Sequence, residues 1–176
     1  RLLETRDGGS SWAIKSHLVS TPEGFHLNGI TGTAAGEIVI AGEGGVIFRS
    51  ADAGQTWEQI DPGHYGTFFG VVYDPVNDVF TAFGLASALY HSTDKGLTWH
   101  SLESPLEATF AGGTVTDDGR TILVGPAGAA VAIGAGGSPL QAHPQADRKN
   151  MSSIIELKPG NYLVTGFGGV KQIRID

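Results

Sequence analysis

Apolar positions fall in short runs broken by small and polar residues. In the middle of the chain, Phe69 to Tyr73, Val79 to Phe83 and Ala88 to His91 follow one another closely. Within each run the apolar residues are nearly continuous rather than alternating, the pattern of strands covered on both faces. The gaps carry turn chemistry: Asp74-Pro75-Val76-Asn77-Asp78, Asp117-Asp118-Gly119 and Lys158-Pro159-Gly160-Asn161. Arg1 to Thr5 and Gly169 to Ile175 read as further strands. No stretch keeps a helical period for as long as about ten residues.

The runs recur. One marker is an apolar run ending in glycine: Ile40-Ala41-Gly42, Ala82-Phe83-Gly84, Leu123-Val124-Gly125 and Val164-Thr165-Gly166, with the glycines 42, 41 and 41 residues apart. Each is followed by a small-residue turn: Gly44-Gly45, Ala86-Ser87, Ala127-Gly128 and Gly168-Gly169. A second marker runs out of phase with the first and reads [ST]-x-D-x-G-x-[ST]-W. Its copies are Thr5-Arg-Asp7-Gly-Gly9-Ser-Ser11-Trp12, Ser50-Ala-Asp52-Ala-Gly54-Gln-Thr56-Trp57 and Ser92-Thr-Asp94-Lys-Gly96-Leu-Thr98-Trp99, spaced 45 and 42 residues. The period places a fourth copy near Gly134-Ala-Gly136-Gly-Ser138-Pro139-Leu140, where both Asp and Trp are gone.

Three or four strands per repeat of this length is the arithmetic of a β-propeller blade. The expected fold is all-β: a propeller segment over 1–176 built of four-stranded antiparallel blades, with repeats at about 1–20, 21–62, 63–104, 105–145 and 146–176. About four blades leave strands missing at each end. The expectation is the C-terminal part of a larger ring, with the missing blades supplied by the rest of the protein or by self-association.

Composition narrows the function. With 40% hydrophobic and 16% charged residues in 176, the composition argues against disorder. There is no cysteine, which removes thiolate nucleophiles, thiolate zinc sites and iron–sulfur clusters. The net charge of -7 argues against broad affinity for nucleic acid. No apolar run is long enough for a membrane helix, so direct membrane insertion is not expected.

The repeated motif has a structural reading. Its Asp can accept backbone N–H groups of the hairpin turn, its Gly supplies a positive φ, and its Trp folds back on the hairpin. Asp7, Gly9, Trp12, Asp52, Gly54, Trp57, Asp94, Gly96 and Trp99 are therefore assigned as structural residues. This motif is similar to the Asp box, or BNR repeat. Its spacing and glycine turns, with segments such as Val46 to Trp57 and Gly160 to Val170, resemble the photosystem II stability/assembly factor-like propellers. The resemblance implies a non-enzymatic, protein-binding propeller, an assembly or accessory scaffold for a membrane or exported complex, and an exported or periplasmic location. Photosynthetic members present an arginine-rich face, whereas the six arginines here (Arg1, Arg6, Arg49, Arg120, Arg148 and Arg174) are spread along an acidic chain.

The alternative is a glycoside hydrolase of the Asp-box class, sialidase-like or xyloglucanase-like. A sialidase needs convergent arginines and a Tyr–Glu pair, and no Arg-Ile-Pro segment occurs. A general glycosidase needs two carboxylates. Candidates outside the boxes are Glu43, Asp61, Glu103, Glu107 and Asp147, with no pair singled out. The histidines His17, His26, His64, His91, His100 and His143 show no metal-ligand spacing, and no catalytic residue, metal site or cofactor is assigned. Asn150-Met151-Ser152 matches a glycosylation sequon. Propellers carry function on rim loops. Ser16 to Phe25, Asp61 to Thr67, Leu102 to Glu107 and His143 to Asn150 are the candidates. Within them His64 and Tyr65, read as an exposed aromatic pair, and Arg148 and Asn150, in the densest charge cluster, are the expected contacts to a protein partner.

Overall fold

The computed structural model describes residues 2–21 and 24–175. Arg1 of the expected first strand, Pro22 and Glu23 of the first rim loop, and Asp176 lie outside the described residues.

A short hairpin comes first, β1 (Leu3–Glu4) with β2 (Ala13–Ile14). Three four-stranded sheets follow. The first is β3 (Leu27–Gly32), β4 (Ile38–Gly42), β5 (Ile47–Ser50) and β6 (Glu58–Ile60). The second is β7 (Phe68–Asp74), β8 (Val79–Gly84), β9 (Leu89–Ser92) and β10 (His100–Ser101). The third is β11 (Gly112–Val115), β12 (Thr121–Val124), β13 (Ala130–Ile133) and β14 (Leu140–Ala142). The fourth sheet has three strands, β15 (Met151–Lys158), β16 (Asn161–Gly166) and β17 (Gly169–Arg174). Every sheet is an antiparallel meander in chain order. The chain is a β-propeller segment, as its period predicts.

The near-continuous apolar runs are explained by what lies on either side of each sheet. Val39, Ala41 and Ile47 of the first sheet share a core with Phe68, Val71, Phe80 and Ala82 of the second. Phe83 and Leu89 of the second pack with Leu123, Val131 and Ile133 of the third. Ile122, Val124 and Ala132 of the third pack with Ile154, Tyr162 and Val164 of the fourth. Successive residues of one strand thus serve two cores, so the apolar runs are nearly unbroken, with Thr81 on β8 and Thr121 on β12 as buried exceptions. At the outer sheets the rule relaxes. Ile30 on β3 is 60% exposed, while its counterpart Val71 on β7 is 6% exposed.

In a meander, the first and third turns lie at one end of the sheet and the second turn at the other. The link to the next sheet leaves from the same end as the second turn. The molecule therefore has a hairpin face, with the Asp boxes, and a loop face. On the loop face the periodic glycines have a steric cause. Gly42, Gly84 and Gly125 are extended residues (φ -160, -176 and -162) that any amino acid could adopt. A Cβ at each, however, would lie 2.3, 2.0 and 1.9 Å from the carbonyl oxygens of His26, Thr67 and Thr109, and one at Gly166 would lie 2.0 Å from that of Asn150. The chain entering each sheet crosses directly over the glycine. The next residue's N–H then donates to the crossing strand: Glu43 to His26 O, Leu85 to Thr67 O and Phe167 to Asn150 O, each at 2.9 Å. Pro126 holds that position in the third sheet and has no N–H to give.

Candidate functional site

On the hairpin face, the Asp boxes are closed hydrogen-bond cages. Asp52 Oδ1 accepts the backbone N–H of Gln55 (3.0 Å) and Thr56 (2.9 Å), and Oδ2 accepts the Thr56 hydroxyl (2.6 Å). Ser50 Oγ donates to Asp52 (2.8 Å) and accepts from Gly54 N (2.9 Å). Trp57 Nε1 donates to Gly54 O (3.0 Å). Asp94, Ser92, Thr98, Gly96 and Trp99 repeat the arrangement, with Trp99 Nε1 at 3.1 Å from Gly96 O. Ala53 and Lys95 precede the turn glycines with φ of 58 and 63, and Gly54 and Gly96 have φ of 83 and 84. The hairpin turn therefore needs two successive left-handed residues, which the glycine eases.

The first box keeps the carboxylate cage, with Asp7 accepting from Ser11 N (2.9 Å) and Ser11 Oγ (2.6 Å). Trp12 departs from its counterparts: it is 60% exposed, against 7% for Trp99. Only the two strands β1 and β2 accompany it among the described residues, so its ring has little to pack against.

The cages shift acidity. Donation by the Thr56 hydroxyl and N–H holds Asp52 at about 2, and the Ser11 hydroxyl and N–H do the same for Asp7. Burial pushes Asp94 upward, but the hydrogen bonds from Thr98 and Ser92 outweigh it and leave it at about 2. A carboxylate this committed to its own turn is a poor general acid.

The loop face holds the four expected partner contacts, at two different seams. His64 is not half of an exposed pair. Its ring packs on Phe68 and Tyr90, with centroids 5.0 and 5.2 Å away, and Nε2 is buried without a hydrogen-bond partner among the described residues. Burial lowers its pKa. The inward turn depends on residues distant in sequence: loop 61–67 crosses over Gly45, where a Cβ would lie 1.8 Å from His64 O, and the ring meets Tyr90. Tyr65 beside it is 85% exposed. Arg148 and Asn150 lie two seams away, where the third sheet meets the fourth. Asn150 Oδ1 accepts the N–H of Ala127 (3.0 Å), so its side chain ties two loops together. Arg148 is exposed, and its side chain makes no hydrogen bond or ion pair among the described residues.

Arg148 forms one wall of a cleft of about 600 Å³, within the range of ligand-binding clefts. Leu106, Glu107 and Ala108 make the opposite wall, and Pro126 and Ala127 lie between them. A second cleft of about 490 Å³ lies on the other side of Glu107, against Ala86 and Ser87. Sequence reasoning named Arg148 and Glu107 but missed the small apolar residues between them. Their signal was the Gly- and Ala-rich stretch from Gly125 to Gly137. A run of small residues on a rim leaves room beside the backbone.

Three of the five candidate carboxylates outside the boxes are engaged with separate partners. Glu43 accepts from His26 N (2.9 Å), Asp61 from Gly63 N (2.8 Å), and Asp147 pairs with Lys171 (2.7 Å). His91 and His100 face each other across β9 and β10, with centroids 6.2 Å apart. Among the described residues no group of three or more side chains is placed to hold a metal ion, and no helix is long and apolar enough to cross a membrane.

The sequence model of a family described as photosynthesis system II assembly factor YCF48 matches residues 1–138. The chain belongs to the YCF48 family. Two solved YCF48 structures share its fold. One, YCF48 bound to D1 peptide, is 21% identical with a TM-score of 0.73, over 97% of this chain and 55% of that one. The other, YCF48 from Cyanidioschyzon merolae, is 17% identical with a TM-score of 0.68, over 99% and 60%. The chain thus spans little more than half the length of these YCF48 structures. An ancestral GH74 enzyme also shares the fold, at 15% identity and a TM-score of 0.68, over 96% of this chain and 28% of the enzyme. No curated protein matches the sequence.

Proposed function

We propose that this YCF48-family propeller binds a polypeptide on its loop face and acts as an assembly or accessory scaffold for a membrane or exported complex, from an exported or periplasmic location. The observation that carries the reading is the pair of clefts at the seams, whose walls are fixed by backbone hydrogen bonds between neighbouring sheets. Ser87 N donates to Ala108 O (2.7 Å), Gly128 N to Lys149 O (3.1 Å) and Gln145 N to Gly128 O (2.8 Å). Rigid walls spare a partner the cost of ordering the site. The D1 peptide carried by a YCF48 structure supports a peptide as the occupant. The exposed Ile30, on the sheet beside the first hairpin, and Ile155, on the last sheet, fit further strands of the same repeat.

A pull-down from native membranes tests the proposal, using wild type and the double variant Tyr65→Ala, Ala127→Trp. Wild type recovers a specific protein and the variant loses it. Equal recovery by both places binding elsewhere. Turnover of xyloglucan or sialosides, abolished by one carboxylate substitution outside the boxes, would establish the hydrolase instead.

A further inference from the structure

The larger cleft has an electrical polarity that its apolar floor makes decisive. Its two long charged side chains stand on opposite walls: Glu107 on the loop entering the third sheet, and Arg148 on the loop entering the fourth. Both are exposed, and neither side chain has a hydrogen bond or ion pair among the described residues. The neighbouring carboxylate is already committed. Asp147, next to Arg148, is held by Lys171 through both carboxylate oxygens (2.8 and 2.7 Å) and also accepts from Lys149 N (3.2 Å). Among the residues that line the cleft, Arg148 is therefore the uncompensated cation and Glu107 the uncompensated anion. Between them lie Pro126 and Ala127, which offer no polar side chain.

The wall that carries Arg148 is preset. Arg148 sits at φ 51, a left-handed conformation unusual for a residue with a side chain. It is held there by its own N–H on Gln145 O (3.0 Å) while the flanking residues bond Gly128 in both directions. A Cβ on Gly128 would lie 3.0 Å from Arg148 Cα, so the glycine is what lets the loop sit this close. The fold spends backbone strain to hold this segment against the cleft.

We propose that this cleft binds an extended peptide segment carrying a carboxylate and a cationic side chain at opposite ends of a short run of small apolar residues. The carboxylate meets Arg148, which recognises it through its planar fork of donors. The cation meets Glu107, and the small residues between them lie over Pro126 and Ala127. Opposed charges on the two walls fix the direction of the chain across the seam and reject the reversed arrangement. This rests on the peptide-binding reading above and adds the chemistry and orientation of the occupant.

Fluorescence anisotropy tests it, with labelled peptides, acetylated and amidated, in which one Glu and one Lys are separated by about two to five Ala and Pro residues, about 10–20 Å of extended chain. Wild type binds at least one spacing more tightly than the peptide with Gln in both charged positions. Arg148→Glu weakens that binding about tenfold, and a peptide with Lys in place of Glu restores it. Glu107→Lys weakens it similarly, and a peptide with Glu in place of Lys restores that. Circular dichroism and melting show that both variants fold. The inference fails if no charged peptide outcompetes the Gln peptide, or if the charge reversals leave affinity unchanged. If Arg148→Glu and Glu107→Lys still recover the wild-type protein from native membranes, the scaffold reading stands and only the charge assignment falls.

Discussion

Trp99 and Trp12 occupy the same place in the same motif, yet they are not equivalent side chains. Trp99 is buried between the second sheet and its neighbour and donates to Gly96 O, whereas Trp12 lies mostly in solvent. Trp99→Ala is expected to lower stability by about 3–5 kcal/mol. Trp12→Ala should cost no more than about 0.5 kcal/mol, as at other exposed positions. Urea denaturation of the two variants measures both, and equal losses would refute the packing difference. The Asp cages add a pH signature. The folded pKa values of Asp7, Asp52 and Asp94 lie at about 2, below the ordinary 3.8. Their contribution is complete above about pH 4 and is lost as pH falls toward 2. The melting temperature should drop across that window, and Asp94→Asn should flatten the drop. His64 has the opposite origin, since burial lowers its pKa and favours the neutral ring. Its contribution is complete above about 6.5 and is lost as pH falls below it. His64→Phe should blunt that loss in a pH series of melts, and an unchanged series would place His64 in solvent.

At the scale of the element, the sequence carried the sheets almost completely. The expected Phe69 to Tyr73 and Val79 to Phe83 became Phe68–Asp74 and Val79–Gly84, because apolar runs and turn residues are local signals. The cause of the periodic glycines was not local. Gly84 has a backbone conformation open to any residue, and only the approach of Thr67 O forbids a side chain. That contact joins positions far apart in the motif. Gly84→Ala should therefore destabilise by about 3 kcal/mol, as overpacking does. Gly63→Ala, with φ 70 and no neighbour within 4 Å, should cost only the left-handed backbone penalty, about 1 kcal/mol. Thermal melts of the two variants separate the mechanisms, and a larger loss at Gly63 would contradict the steric account. The degenerate fourth motif makes a related point. The β13–β14 hairpin forms without Asp or Trp, turning through Ala135–Gly137 with a Gly134 N–H bond to Pro139 O (2.7 Å). Two glycines suffice for the turn where the carboxylate cage has been lost.

At the scale of the whole molecule, successive sheets packed through shared cores make a stiff frame with two unlike faces. The hairpin face spends its Asp, Ser and Thr side chains on its own turns. The loop face keeps Tyr65 exposed, and Glu107 and Arg148 available at the clefts. The rim loops could be placed from the repeat period, and Arg148 from its charge. His64 was misplaced because its inward turn depends on Gly45 and Tyr90, which belong to two neighbouring sheets. The cleft itself was invisible in sequence, since it is a space between loops from successive seams. Site-specific photo-crosslinking in native membranes tests the central claim most directly. A photoreactive residue replaces Ala146 on the loop face or Leu97 on the hairpin face, one at a time. The account predicts one discrete crosslinked protein from position 146 and none from position 97. The same adduct from both positions, or an adduct from position 97 alone, would contradict a loop-face binding site.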